Sequence, residues 1–124
     1  MKADLIRFLR GFGFAFEGMV HAAQTERNMR VHILIAVCCV LLGIFLGLSL
    51  VEWAVIALAM SGVFTSEMLN SSVESLIDLA SPQHHPLAKI IKDAAAGAVL
   101  VNAAFAAVAG VLIFAPKIGA VVGR

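Results

Sequence analysis

From residue 66 the chain reads Ser66-Glu67-Met68-Leu69-Asn70-Ser71-Ser72-Val73-Glu74-Ser75-Leu76-Ile77-Asp78, and the rest of the architecture follows from these residues. Polar side chains recur here at i, i+3, i+7 and i+11, namely at Glu67, Asn70, Glu74 and Asp78. At roughly 100° per residue, they share an arc of about 80° on one helix. Three acids on one stripe repel each other unless cations lie between them. The row therefore predicts a metal or phosphate site.

The run before this row carries no charge from Trp53 to Ser66, which is typical of a helix inside a membrane. Such a run rises about 21 Å, so we expect Glu67 at the inner edge of the hydrocarbon and Glu74 about 10 Å further into the cytoplasm. Carboxylates at membrane depth normally face a protein interior or a water-filled cavity. An ordinary solvated acid is thus the poorest interpretation for Glu67 and the best for Asp78.

Composition assigns the whole chain to the membrane class. Of its 124 residues, 61% are hydrophobic, whereas soluble domains average about 45–50%. A transmembrane helix needs about 20 apolar residues, and three stretches qualify, near residues 31–50, 53–72 and 94–115. We predict an all-α membrane protein with three transmembrane helices, in which residues 1–124 form a single domain.

An amphipathic helix is predicted ahead of the first span, at about residues 4–26. Its apolar face carries Leu5, Phe8, Leu9, Phe12, Phe16, Met19, Val20 and Ala23. A helix of this kind lies in the membrane interface with its apolar face in lipid. The alternative is a soluble helix that packs on a partner.

The basic residues predict the orientation. Seven of them precede the first span or lie between the second and third spans: Lys2, Arg7, Arg10, Arg27, Arg30, Lys89 and Lys92. By the positive-inside rule, the N-terminus and the second loop are cytoplasmic, although Lys117 and Arg124 count against this. The polar clusters then all lie at the cytoplasmic boundary.

These clusters predict phosphoryl transfer. Carboxylates beside amides suit Mg²⁺, which takes one or two protein carboxylates and leaves its other positions to water and phosphates. Basic side chains suit the phosphates, and a carboxylate at the hydrocarbon edge suits a general base acting on a hydroxyl from the bilayer.

A proton-coupled transporter is the remote alternative, but its acid would lie near the bilayer midplane. Nothing indicates a nucleic-acid partner. Three spans are too few to bury so many polar groups, so we expect a homo-oligomer.

Three motifs contain these polar groups: Ala22-Ala23-Gln24-Thr25-Glu26-Arg27-Asn28-Met29-Arg30-Val31-His32, then Glu67-Met68-Leu69-Asn70-Ser71-Ser72-Val73-Glu74, then residues 85–100, which open His85-Pro86-Leu87-Ala88-Lys89-Ile90-Ile91-Lys92-Asp93. They resemble the prokaryotic diacylglycerol kinase and undecaprenol kinase family of small membrane lipid kinases, over about residues 5–112. The resemblance implies a homotrimer with shared active sites, ATP as co-substrate and Mg²⁺ as cofactor. It also implies a multi-pass protein of the bacterial cytoplasmic membrane, with the active site on the cytoplasmic side.

The resemblance further implies roles for individual residues. Glu67 matches the catalytic base, and Glu26 and Glu74 match the Mg²⁺ ligands. Nucleotide-binding positions are Arg7, Phe14, Glu26, Glu74, Gln83, His85, Lys92 and Asp93, and substrate-binding positions are Arg30, Glu67 and Asn70. The diacylglycerol branch carries a phenol side chain at the position of Phe14. This chain has no tyrosine, so any hydrogen bond from a hydroxyl at that position is lost. By residue type His84-His85 is a possible zinc pair, but we expect a polar loop that lines the site.

Two patterns resemble the undecaprenol kinase branch in particular, Asn28-x-Arg30-x-His32 and His85-Pro86-Leu87-Ala88-Lys89. We therefore expect ATP- and Mg²⁺-dependent phosphorylation of undecaprenol to undecaprenyl phosphate. Diacylglycerol, giving phosphatidic acid, is the alternative acceptor. Both lipids present one hydroxyl at the interface, so discrimination is expected in a groove between the surface helix and the spans.

Overall fold

The computed structural model describes residues 1–81, 83 and 85–123, apart from the side chains of Lys2 and Ala3. Within these residues the chain forms four α-helices: α1 (Lys2–Thr25), α2 (Arg27–Leu46), α3 (Leu50–Ala80) and α4 (Pro86–Val122). The last three are long and apolar enough to cross a membrane. The predicted class, an all-α membrane protein with three spans after an N-terminal helix, is confirmed.

A short turn joins α2 to α3, and its residues define both helix ends. Gly47 has a φ of 64°, a left-handed conformation that glycine adopts without strain, and it ends α2. Ser49 begins α3: its Oγ accepts a hydrogen bond from the Glu52 amide at 3.3 Å, and its own amide donates to the Glu52 carboxylate at 2.6 Å. The predicted first span extended to residue 50, four residues beyond the helix, because hydropathy does not register these caps.

α3 and α4 extend well beyond the predicted spans. They contain 31 and 37 residues, which corresponds to about 46 and 55 Å of helix, whereas the hydrocarbon is roughly 30 Å thick. The predicted spans ended at residues 72 and 115, while the helices continue to Ala80 and Val122. Hydropathy identifies only the apolar part of each helix, and α4 also passes through Pro116 without ending.

The helices pack around α3. It makes its most extensive contact with α4 and a smaller one with α2. At the end away from the acid row, Leu48, Ile56 and Phe114 form a buried apolar cluster. At that same end Lys117 Nζ lies 3.1 Å from Glu52 Oε2 and joins α4 to α3. The charge of Lys117, which counted against the predicted orientation, is therefore balanced, while Arg124 lies outside the described residues.

Most large apolar side chains remain exposed on this single chain. On α1, Leu5, Phe8, Leu9 and Phe12 are all more than half exposed, and the spans show the same character. Exposed apolar area of this extent is typical of a surface covered by lipid or by other subunits. For α1 this favours the predicted interfacial helix, because the chain itself leaves its apolar row uncovered.

The contact between α2 and α3 can be tested at Gly43. A Cβ at this buried glycine would lie 2.7 Å from Trp53 Cη2, so the indole ring would have to move. We expect Gly43→Ala to lower the free energy of unfolding by about 1–3 kcal/mol, measured by thermal unfolding in detergent micelles. Gly97→Ala is the matched control, because a Cβ there meets nothing within 4 Å. Equal stability of the two variants would contradict the contact.

Candidate active site

The acid row on α3 runs from a buried position to an exposed one. Glu67 is 2% exposed and Asn70 is 9% exposed, Glu74 is half-buried, and the Asp78 side chain is 69% exposed. The order agrees with the sequence prediction that Glu67 is the deepest acid and Asp78 the best solvated. Only a protein environment built for a carboxylate tolerates such burial.

A histidine of α2 lies directly beside this buried acid. His32 Nε2 is 3.1 Å from Glu67 Oε1, and the His32 side chain is itself only 20% exposed. His32 is in the second turn of α2, whose first residue is Arg27. The contact therefore joins the first sequence motif to the second and brings the start of α2 to the deep end of the acid row.

Three buried polar atoms in this region have no hydrogen-bond partner among the described residues: Glu67 Oε1, Asn70 Oδ1 and Ser71 Oγ. The approach of His32 to Glu67 is short, but its direction is not that of a hydrogen bond. Buried polar atoms are nearly always paired in native proteins, and each unpaired one costs about 1–3 kcal/mol. The group is thus arranged for a hydrogen-bond partner that the described residues do not supply.

The next acid along the row is held by an amide. Asn70 Nδ2 donates to Glu74 Oε1 at 3.2 Å. Glu26, the other predicted metal ligand, lies half-buried at the junction of α1 and α2. In the part of the chain that the structure describes, no three His, Cys, Asp or Glu residues form a metal cluster. Two carboxylates are nevertheless what Mg²⁺ takes from proteins when phosphates complete its shell, so the donors present fit this ion.

A cavity of about 770 Å³ lies where α3 ends and α4 begins. It is lined by four of the predicted nucleotide-binding residues, Gln83, His85, Lys92 and Asp93. Ion pairs cross and border it, between Lys92 and Asp78 and between Lys89 and Asp93. His85 also begins α4, because its Nδ1 accepts a hydrogen bond from the Leu87 amide at 3.2 Å. His84, the other half of the suggested zinc pair, lies outside the described residues.

The remaining predicted residues are not brought to this cavity. Arg7 and Phe14 are exposed on α1, and Arg7 lines only a shallow depression with neighbours on its own helix. Arg30 is exposed at the start of α2. Within the described residues, neither Arg7 nor Arg30 forms an ion pair. One chain therefore assembles only part of the predicted nucleotide site.

An apolar groove of about 450 Å³ begins at His32 and runs between α2, α3 and α4. Its walls are mostly small or apolar, and include Ala36, Ala59, Ala103, Ala106, Gly110 and Phe114. Along α4 it extends from Ala103 to Ile118, or about 22 Å. We expected a lipid groove between the surface helix and the spans, but this groove is lined by the spans alone.

His32 is the site residue whose position sequence reasoning missed. The sequence showed it only as part of the polar cluster at the start of α2 and as one residue of a branch pattern. A lone histidine near the end of an apolar helix has many possible neighbours. Its proximity to Glu67 depends on the packing of α2 against α3, which no local pattern encodes.

Comparison with known proteins agrees with the motifs. Residues 13–114 match the family model described as prokaryotic diacylglycerol kinase. The chain is 44% identical to the undecaprenol kinase of Bacillus subtilis over 94% of its own length and 95% of that protein. It is 39% identical to the diacylglycerol kinase of Synechocystis sp. over 89% of its length and 63% of that protein. It is 29% identical to the diacylglycerol kinase of Helicobacter pylori, over 80% and 77%.

Proposed function

Since this chain belongs to the prokaryotic diacylglycerol kinase family and is a membrane lipid kinase that uses ATP, we propose that it phosphorylates undecaprenol to undecaprenyl phosphate. The observation that carries the proposal is Glu67, an almost completely buried carboxylate whose Oε1 has no hydrogen-bond partner among the described residues. It contacts His32, from which an apolar groove leads away between the spans. The similarity to the undecaprenol kinase of Bacillus subtilis supports this acceptor.

Glu67 acts as the general base. The lipid hydroxyl oxygen forms a bond to the γ-phosphorus of ATP, its proton passes to the Glu67 carboxylate, and the bond between the γ-phosphorus and the bridging oxygen breaks to release ADP. Burial supports this role, because a carboxylate with little access to water is free to accept a proton from substrate.

Glu26 and Glu74 would hold Mg²⁺, the proposed cofactor. When bound, the ion neutralises charge on the phosphates during transfer. Asn70 orients Glu74 through the hydrogen bond from its amide, and its own unpaired Oδ1 is an acceptor for substrate or ordered water. The partial burial of Glu74 limits the directions in which its carboxylate can point.

The nucleotide occupies the cavity at the start of α4. Lys92 contributes positive charge for the phosphates once it exchanges Asp78 for ATP, while Asp93, Gln83 and His85 line the same space. Arg7 and Phe14 on α1 lie away from this cavity within one chain. We therefore assign them to the site of a neighbouring subunit, in a homotrimer with shared active sites.

The apolar groove receives the lipid chain. Undecaprenol carries a single long isoprenoid chain behind its hydroxyl, whereas diacylglycerol carries two acyl chains and two ester groups. A single groove with almost no polar wall suits one apolar chain that carries no ester groups. Arg30 is exposed at the start of α2, two residues before His32, and we assign it to the phosphorylated headgroup.

The protein lies in the cytoplasmic membrane with its active site on the cytoplasmic side. The basic residues that flank the polar end support this orientation, because they outnumber those at the opposite end. The exposed apolar row of α1 fits a helix in the interface beside the site.

Replacement of the base tests the chemistry. We expect Glu67→Gln to lower kcat at least about 10²–10⁴-fold, because the amide keeps the shape of the side chain but accepts no proton. Transfer of labelled phosphate from ATP to undecaprenol in mixed micelles gives the rate, and nucleotide binding should change little. Turnover close to that of the parent protein would show that another group is the base.

The metal ligands are tested by titration. Glu26→Ala and Glu74→Ala should each raise the Mg²⁺ concentration needed for half-maximal activity, because each removes one carboxylate from the same cation. Glu17→Ala is the control, since Glu17 is an exposed acid that lies outside the proposed site. An unchanged Mg²⁺ requirement in either glutamate variant would remove that residue from the metal site.

The acceptor is decided by competition between undecaprenol and diacylglycerol in one micelle. We expect the higher kcat/KM for undecaprenol. Ala106→Phe, which narrows the apolar groove, should lower kcat/KM for undecaprenol without changing KM for ATP. Ala104→Phe is the matched control, because Ala104 does not line the groove. Preference for diacylglycerol would refute the acceptor assignment and leave the kinase assignment intact.

A further inference from the structure

We propose that His32 is a positioning residue for the catalytic base, with its Nε2–H donating to Glu67 Oε1 so that the carboxylate faces the lipid hydroxyl. The inference rests on the proposed function, because it takes Glu67 as the base. It assigns to His32 a role in orienting Glu67 and no direct contact with the transferred phosphoryl group.

The geometry singles out His32 for this role. The Glu67 side chain is 3% exposed, and among the described residues His32 alone brings a basic side chain within 4 Å of its carboxylate, at 3.1 Å. Oε1 has no other hydrogen-bond partner in this part of the structure. Without a donor the carboxylate can rotate about its last bond, since that torsion has broad minima. In the absence of substrate, catalytic hydrogen bonds are commonly poorly aligned, and they tighten in the substrate complex. The contact between His32 Nε2 and Glu67 Oε1 would become a hydrogen bond in this way.

The His32 imidazole lies between the Glu67 carboxylate and the apolar groove, and this position indicates its role. His32 contacts Glu67 and also lines the polar end of the apolar groove. A lipid alcohol whose chain follows the groove would therefore bring its hydroxyl past the imidazole to the carboxylate. By fixing one oxygen of Glu67, His32 directs the other lone pairs of the carboxylate toward that hydroxyl.

The chemistry of imidazole suits a partner of a base. A full cation such as lysine close to Glu67 would stabilise the ionised carboxylate and reduce its affinity for the substrate proton. The imidazole of His32 presents an N–H donor on a planar ring and can orient the carboxylate without placing an ammonium group beside it. The donor is also carried on α2, a separate helix from Glu67, so the packing of α2 against α3 sets the orientation.

Two substitutions separate this role from simple packing. His32→Leu replaces the imidazole with an apolar side chain and so removes the donor, whereas His32→Gln keeps an N–H donor. We expect His32→Leu to lower kcat up to about 100-fold, the loss typical of a misaligned catalytic group, with KM for ATP unchanged. His32→Gln should recover most of that loss. Thermal unfolding in micelles confirms that both variants are folded, and the acceptor is whichever lipid alcohol the parent protein phosphorylates.

A double-variant comparison adds a second readout. If His32 acts through Glu67, then His32→Leu should produce little further loss in a Glu67→Gln background, because the two residues work as one unit. Losses that multiply, a His32→Gln variant as slow as His32→Leu, or a His32→Leu variant with parental kcat would each overturn the inference. Parental turnover in Glu67→Gln alone would instead refute the proposed base, so the two failures are distinguishable.

Discussion

The structure depends on one requirement: a carboxylate at the edge of a membrane must be sheltered by protein. Glu67 is nearly fully buried at the point where the apolar part of α3 ends. Removing a charge from water without compensation is prohibitively unfavourable, and lipid supplies no compensation. The chain meets this requirement by surrounding α3, with α4 along one side and the start of α2, including His32, on another. The helix packing that buries Glu67 therefore also forms the candidate active site.

The two ends of the helix bundle differ in how their buried groups affect stability. One end contains buried polar atoms that lack hydrogen-bond partners among the described residues, and such atoms destabilise a single chain. The opposite end contains the cluster around Ile56, the close approach of Gly43 to Trp53, and the ion pair between Glu52 and Lys117. An enzyme site commonly carries unsatisfied groups that the rest of the fold must offset. Here the apolar cluster, the close approach and this ion pair lie where no chemistry is proposed.

Local patterns in the sequence were sufficient for the helices and for the burial order along the acid row. The spacing of Glu67, Asn70 and Glu74 requires one helical face, and the uncharged run before them requires that Glu67 be the deepest. Helix ends were less accurate, because they depend on Gly47 and on the reciprocal cap of Ser49 and Glu52. The Ser-x-x-Glu pattern of that cap is present in the sequence, and it would have placed the end of the first span before Ser49.

Contacts between distant residues were beyond sequence reasoning. The approach of His32 to Glu67 depends on how two helices are rotated against each other, and apolar faces of similar composition permit several rotations. The resemblance to known lipid kinases assigned Arg7 and Phe14 to the nucleotide site, yet within one chain they lie on an exposed helix away from the cavity at the start of α4. A site shared between subunits is not encoded by spacing within one chain.

The ion pair between Glu52 and Lys117 also bears on biosynthesis. In the proposed orientation both residues end on the far side of the membrane, so both charges must be carried across the bilayer while the protein is made. Carrying two separate ions through hydrocarbon is far less favourable than carrying a neutral pair. The first turn of α3 and the last turns of α4 would therefore cross most readily together, as a helical hairpin whose legs are already associated. The ion pair at the end away from the proposed active site thus favours an insertion route in which the third span enters the membrane together with the second.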